Sequence, residues 1–97
     1  MALQVVFRPQ AEDEVLEVRH WYESRRPGLG QEFGRALDLL IARIAASPLA
    51  FPRVHNETRR AVLSRFPYDI YFRVADEALV VLAIHGRQHP SRWRRRS

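Results

Sequence analysis

The chain opens on an alternating pattern. In LQVVFR, Leu3 to Arg8, the residues Leu3, Val5 and Phe7 fall on one face and Gln4, Val6 and Arg8 on the other, as in a short strand. Pro9 suits the first turn of a helix, and Ala11, Val15, Val18 and Tyr22 then recur at helical spacing. Glu12, Asp13 and Glu14 come early in this run and Arg25 and Arg26 late, complementing the helix dipole. The pattern predicts a helix from about Pro9 to Arg25. RPGLG, Arg26 to Gly30, breaks it. A second stripe follows at once, Leu29, Phe33, Leu37, Leu40 and Ile44 flanked by Ala36 and Ile41, and predicts a helix over about Leu29 to Ala46. So short a connection makes the two an antiparallel hairpin. Gly34 inside the second helix costs about 1 kcal/mol against alanine, which close approach of the helices would justify.

The remainder reads as strands. Ser47 to Glu57 is a proline-punctuated loop, Thr58 to Arg65 a strand, and Phe66-Pro67 a bend. Tyr68, Ile70, Phe72 and Val74 then alternate with Asp69, Tyr71 and Arg73, and Asp76-Glu77 marks a hairpin turn. Leu79 to His85 is nearly all apolar, as in a strand covered on both faces or central in its sheet. Helices grouped before a strand meander predict an α+β fold of strand–helix–helix–three-strand order, with the helical hairpin packed on one face of a small, mainly antiparallel sheet. The opposite sheet face is at least partly open, with Arg60, Arg73 or Arg65 as residues that could line it.

Length and composition narrow the field. The 97 residues suffice for one domain over 1–97, with a short basic tail from about residue 90 whose last residues read as disordered. There is no cysteine, which excludes disulfides and thiolate metal sites. No apolar run reaches the about 20 residues of a membrane span, and MALQVVFRPQ lacks a signal-peptide pattern, so a cytoplasmic location is expected. Net charge is +5, and all sixteen cations are arginine. Arginine offers a permanently charged planar fork to carboxylates and phosphates. The balance therefore suggests nucleic acid or an acidic protein partner without choosing between them.

An ordered set of local features then resembles the ParE/RelE superfamily of toxins from type II toxin–antitoxin systems, and its ParE branch more closely. These are the opening strand with Pro9 and Ala11, the Pro27-Gly28-Leu29-Gly30 break with Phe33 after it, and Pro48, Phe51 and Pro52. Further along come the Arg65-Phe66-Pro67-Tyr68 bend with Ile70 and Tyr71, and the closing His85, Arg87, Pro90 and Trp93. The resemblance implies a helical hairpin against a small antiparallel sheet, in agreement with the pattern above. It also implies a toxin neutralised by a cognate antitoxin that wraps it. RelE-like members are ribosome-dependent mRNA endonucleases, whereas ParE-like members poison DNA gyrase.

Cleavage of RNA at a 2′-hydroxyl needs a base, an acid and cations that hold the phosphate. The nuclease pattern carried onto this chain finds Arg60 and Val62 at the second-strand positions, Asp69 where a cation follows the bend tyrosine, Arg87 after the last strand, and Trp93 in place of a tyrosine. Indole gives and takes no proton at useful pH, and Asp69 would repel a phosphate. The expectation is therefore a gyrase-directed toxin with a ParD-like antitoxin, no hydrolytic residues, no cofactor and no metal. The alternatives are a ribosome-dependent endonuclease using Arg60, His85 and Arg87, and a non-toxic member that only binds its antitoxin.

Candidate contacts follow from charge and position. HGRQHPSRWRRRS, residues 85–97, mixes two histidines and five arginines with one indole. Arg65, Arg87, Arg92, Trp93 and Arg94 are the candidates for target binding, and Trp21, Arg60 and Arg73 for antitoxin binding. Each has a plainer reading: Trp93 packing on the sheet, the terminal arginines as a solubilising tail, His85 as a strand-end residue, His89 as a loop residue, Trp21 at the edge of the helix stripe. A small basic body with an open sheet face would suit an acidic partner that folds onto it by adding a helix or edge strand. DNA gyrase is inherited from the resemblance alone.

Overall fold

A computed structural model of the chain describes residues 3–87. The elements run β1 (Gln4–Phe7), α1 (Pro9–Arg25), α2 (Leu29–Ala46), a 3₁₀ turn (Pro48–Ala50), β2 (Arg53–His55), β3 (Thr58–Val62), β4 (Tyr68–Ala75) and β5 (Ala78–Gly86). Both helices begin and end where the apolar periodicity places them. The strands form one sheet of order β1-β5-β4-β3-β2. β1 runs parallel to β5 and all other pairings are antiparallel. The architecture is the expected α+β arrangement, a helical hairpin on one face of a mainly antiparallel sheet. No helix among the described residues is long and apolar enough to cross a membrane.

Two stretches depart from the expectation. The loop over 47–57 holds the 3₁₀ turn and a short edge strand, so five strands form instead of four. β2 has three residues, all exposed, which is too short for alternation to register. The strand from Thr58 ends at Val62 rather than Arg65, because Leu63 N–H already turns back to the Tyr68 carbonyl at 3.0 Å.

Apolar residues of the helices and the inward sheet face share one core, built from Ala11, Val18 and Tyr22 of α1, Phe33, Leu37, Leu40 and Ile44 of α2, and Ile70, Phe72, Leu79, Val81 and Ile84 of the sheet. Leu3 and Phe7 pack against it as their alternation predicts, whereas Val5 stays 37% exposed on the edge strand. β5 is central, as its apolar run implies. Leu82 is an extra residue there: Tyr71 pairs with Ala83 and Phe72 with Val81, a bulge that keeps Phe72 turned inward.

The hairpin connection depends on glycine twice. Gly28 is the residue before α2, at φ 88°, a conformation that side chains disfavour. It brings no side-chain cap, and Glu23 of α1 supplies one from across the connection. Glu23 Oε2 accepts from Gly28 N–H at 2.8 Å and Oε1 from Gly30 N–H at 3.0 Å. These amides, with Arg19 nearby, hold the Glu23 carboxyl below its ordinary value. The tight helix–helix contact is at Gly30, one turn before Gly34. A Cβ at Gly30 would lie 2.5 Å from the Arg19 carbonyl oxygen, whereas one at Gly34 would meet only the Arg19 guanidinium carbon at 3.3 Å.

The two glycines should therefore respond in opposite directions to alanine. Gly30→Ala forces backbone apart and should cost about 1–3 kcal/mol. Gly34→Ala meets a movable side chain and should be neutral or stabilising by up to about 1 kcal/mol. Urea unfolding of the two variants against the parent measures both.

Candidate functional site

The sheet face turned away from the helices carries the polar candidates. Cross-strand partners share a face, so the pairings Arg60 with Tyr71, Tyr71 with Ala83, Asp69 with His85 and Val62 with Asp69 put these side chains together. Arg73 and Val80 form the next row, and Val6 of β1 lies beyond Val80. Arg60 is exposed, and Tyr71, Arg73 and His85 are half-buried. Tyr71 stands between Arg60 and His85, with its ring 6.5 Å from the imidazole. Alternation along β4 had put Tyr71 on this face, but its place between Arg60 and His85 depends on strand register.

Arg87, just beyond β5, is a structural clamp. Its guanidinium pairs with Asp69, whose side chain is 9% exposed. Nη1 also donates to the Tyr68 carbonyl at 3.1 Å, and Nη2 to the Leu63 and Phe66 carbonyls at 3.4 Å. Arg87 N–H donates to the Pro67 carbonyl at 2.8 Å. One residue thus ties the end of β5 to the whole bend between β3 and β4. The bend itself closes with Tyr68 N–H on the Phe66 carbonyl at 2.8 Å, a three-residue turn that the fixed φ of Pro67 favours. Asp69, read from sequence as an obstacle to phosphate binding, is the charge partner of the arginine that would have held the phosphate.

The other candidates are dispersed. Arg65 does not line the open face: it lies past β3 and its guanidinium pairs with Glu32 of α2. Trp21 is half-buried at the rim of α1 with the Arg25 guanidinium 4.4 Å from its centroid, the edge position expected of it. His20 is exposed on α1, and His55 is exposed at the edge of the sheet, where it pairs with Thr58. Arg92, Trp93, Arg94 and His89 lie outside the described residues, as does the expected disordered tail. Among the described residues, no group of three or more histidines and carboxylates is placed to hold a metal ion.

Glu14 is a buried residue that sequence reasoning assigned to the helix dipole. Its Oε1 accepts from the Ile84 backbone N–H at 2.8 Å. β1 covers β5 only as far as Val81, and Glu14 serves the strand's edge beyond that point. Helical spacing is the signal that distinguishes it: Glu14 lies three residues after Ala11 and four before Val18, on the buried stripe, whereas Glu12 and Asp13 do not.

This fold is known. A toxin–antitoxin structure described as the chromosomal ParDE system of P. aeruginosa superimposes with a TM-score of 0.79, over 90% of this chain and 98% of that chain, at 14% identity. The RelBE2 toxin–antitoxin complex of Mycobacterium tuberculosis gives 0.62 over 90% and 100%, at 16% identity. The fold is thus that of the ParE/RelE toxins. In sequence, the chain is 29% identical over 82 residues to Toxin ParE2 of Mycobacterium tuberculosis, in strains H37Rv and CDC 1551, covering 82% of this chain and 78% of the relative. No family model matches the chain. The resemblance to the ParE/RelE superfamily holds in both sequence and fold, and the named sequence relatives are on the ParE side.

The clamp can be tested through stability. Arg87→Ala would leave Asp69 covered and without its charge partner, and would take a donor from the Leu63, Phe66 and Tyr68 carbonyls, of which Phe66 and Tyr68 keep a backbone partner. It should cost about 2–4 kcal/mol, short of a fully buried pair because the arginine is partly solvated. Arg87→Ala with Asp69→Ala should recover part of that loss. Thermal and urea unfolding of the single and double variants measure both changes, and equal losses in the two would remove the pairing from the account.

Proposed function

We propose that this chain is the toxin of a type II toxin–antitoxin pair, held in a hetero-oligomer by a ParD-like antitoxin and directed in the cytoplasm at DNA gyrase rather than at RNA. The toxin assignment is supported by the ParE/RelE fold together with the relation to Toxin ParE2. The two solved systems are toxin–antitoxin systems, which supports an antitoxin as partner.

The case against RNA rests on the Arg87 clamp, while gyrase as the target comes from the resemblance to the ParE branch. To hold a scissile phosphate with its fork, Arg87 would have to give up Asp69 or the carbonyls, because its Nη–H groups are already committed to them. That would leave a covered carboxylate beside the phosphate it should attract, and two negative groups at short range repel. A second reading keeps a specific observation in its favour: Arg60, Tyr71 and His85 share one open face. They would supply a cation and two proton-transfer groups to a ribosome-dependent endonuclease.

Paired assays on one antitoxin-free preparation separate these readings. Gyrase supercoiling and cleavage-complex formation are followed in one, and mRNA cleavage on translating ribosomes in the other. Trapped gyrase with intact mRNA is the expected result. Cleaved mRNA with normal gyrase would overturn it, and His85→Ala should then abolish cleavage. Activity in neither would leave a member that binds its antitoxin only.

A further inference from the structure

Three arginines meet at the end of the molecule where α1 stops, α2 begins and β3 turns into β4. Contacts link them without a gap. The Arg25 guanidinium lies over Trp21 at 4.4 Å, Trp21 meets Tyr22 edge-on at 5.0 Å, Tyr22 meets Phe66 at 4.9 Å, and the Arg65 guanidinium lies over Phe66 at 5.3 Å. Arg65 then pairs with Glu32, whose other oxygen lies 3.4 Å from Arg26 Nη2. The side chains of Arg26 and Arg65 remain 59% and 60% exposed, so their head groups face water. One carboxylate is shared by two of the arginines. The other acid nearby, Glu23, is turned onto the Gly28 and Gly30 amides at the start of α2, whose dipole offsets its charge.

We propose that this end is a contact surface for the backbone phosphates of duplex DNA. Rings beneath Arg25 and Arg65 brace their planar forks, the geometry that suits phosphate oxygens. The surface lacks what a protein partner would need. The exposed large apolar residues are Val5, Val6, Leu16, Leu39, Leu49, Val54, Val62 and Val74. None lies in the last two turns of α1, the connection or residues 64–67. Protein interfaces centre on buried apolar anchors, whereas nucleic-acid interfaces are more polar and more positive. Trp21 is half-buried beneath Arg25 and presents no open ring for an unpaired base, which favours a duplex over a single strand. The choice of DNA over RNA rests on the gyrase reading, since that enzyme holds duplex DNA.

The test is binding of the full chain, without gyrase, to a short duplex of arbitrary sequence, by fluorescence anisotropy across a salt series. The variant R25Q/R26Q/R65Q is compared with R8Q/R35Q/R53Q, which removes the same charge elsewhere. The C-terminal arginines are unchanged in both. Each lost phosphate contact lowers the slope of log K on log salt by about 0.9, so the first variant should lose about 2–3 in slope and the second less than 1. Equal losses in both, no loss in the first, or no duplex binding by the parent would overturn the proposal. So would a first variant that binds duplex as the parent does but no longer binds an acidic protein. If the triple variant does not fold by thermal melt, R25Q alone, which leaves the Glu32 pairs intact, should lose about 1 in slope; an unchanged slope counts against the surface. Because gyrase is absent, failure here leaves the gyrase reading standing, and failure of the gyrase assay leaves DNA binding standing.

Discussion

Four aromatic rings join the helices to the sheet, and the rest of the molecule is arranged around them. Tyr22 comes from α1, Phe33 from α2, Phe66 from the bend and Tyr68 from the start of β4. Their centroids lie 4.9–6.2 Å apart in mostly edge-to-face contacts. Each such pair adds about 0.5–1.5 kcal/mol beyond the area it buries. Phe33 and Tyr68 are essentially inaccessible to water, so changing Phe33 would disturb the other three rings at once and changing Tyr68 would disturb Tyr22 and Phe33. Burial raises the pKa of Tyr22, while its hydroxyl's hydrogen bond with Tyr68 acts the other way. The cluster fixes the hairpin connection against the bend, and so sets where Arg25, Arg26 and Arg65 emerge.

The bend is thereby held from two sides. The rings grip Phe66 and Tyr68 from the helices, and Arg87 grips the carbonyls of Leu63, Phe66 and Tyr68 with its guanidinium and that of Pro67 through its amide. Asp69 decides the character of this corner. With a neutral or basic residue there, the Arg87 guanidinium would have no internal anion and would be available to a ligand. With an acid, it becomes part of the scaffold. A single residue type thus decides whether this arginine is drawn to an external anion or held within the fold.

The helices were legible because each buries a wide stripe through four or more turns, and a period sustained that long is hard to imitate by chance. β4 and β5 were legible because alternation and an apolar run survive over eight and nine residues. β2 has three residues and no covered face, and left no trace in the pattern. The clamp was hidden for another reason. Arg87 and Asp69 were both noticed, one as a ligand-holding cation and the other as a misplaced anion. Only the pairing of β4 with β5 brings the two charges together. Glu14 was legible by spacing, since it stands on the Ala11–Val18–Tyr22 stripe, but its partner was not: the Ile84 amide it serves is free of β1 only because that strand's pairing ends at Val81. Arg65, one of three residues that could line the open face, lies off it because the strand ends at Val62 rather than Arg65.

The parallel pairing of β1 with β5 joins strands far apart in sequence, Gln4–Phe7 against Ala78–Val81. β1 has no sheet partner until both helices and the intervening strands have been made. Loop-closure entropy over almost the whole sequence opposes this contact, so it should form late, after the local hairpins of β3, β4 and β5. Until then β5 lacks its neighbour on one side and the core is open beside Phe7. A nascent chain of this topology passes through an interval with two strand edges exposed and its native surfaces incomplete, and any molecule that captures it during synthesis meets a different shape from the finished one.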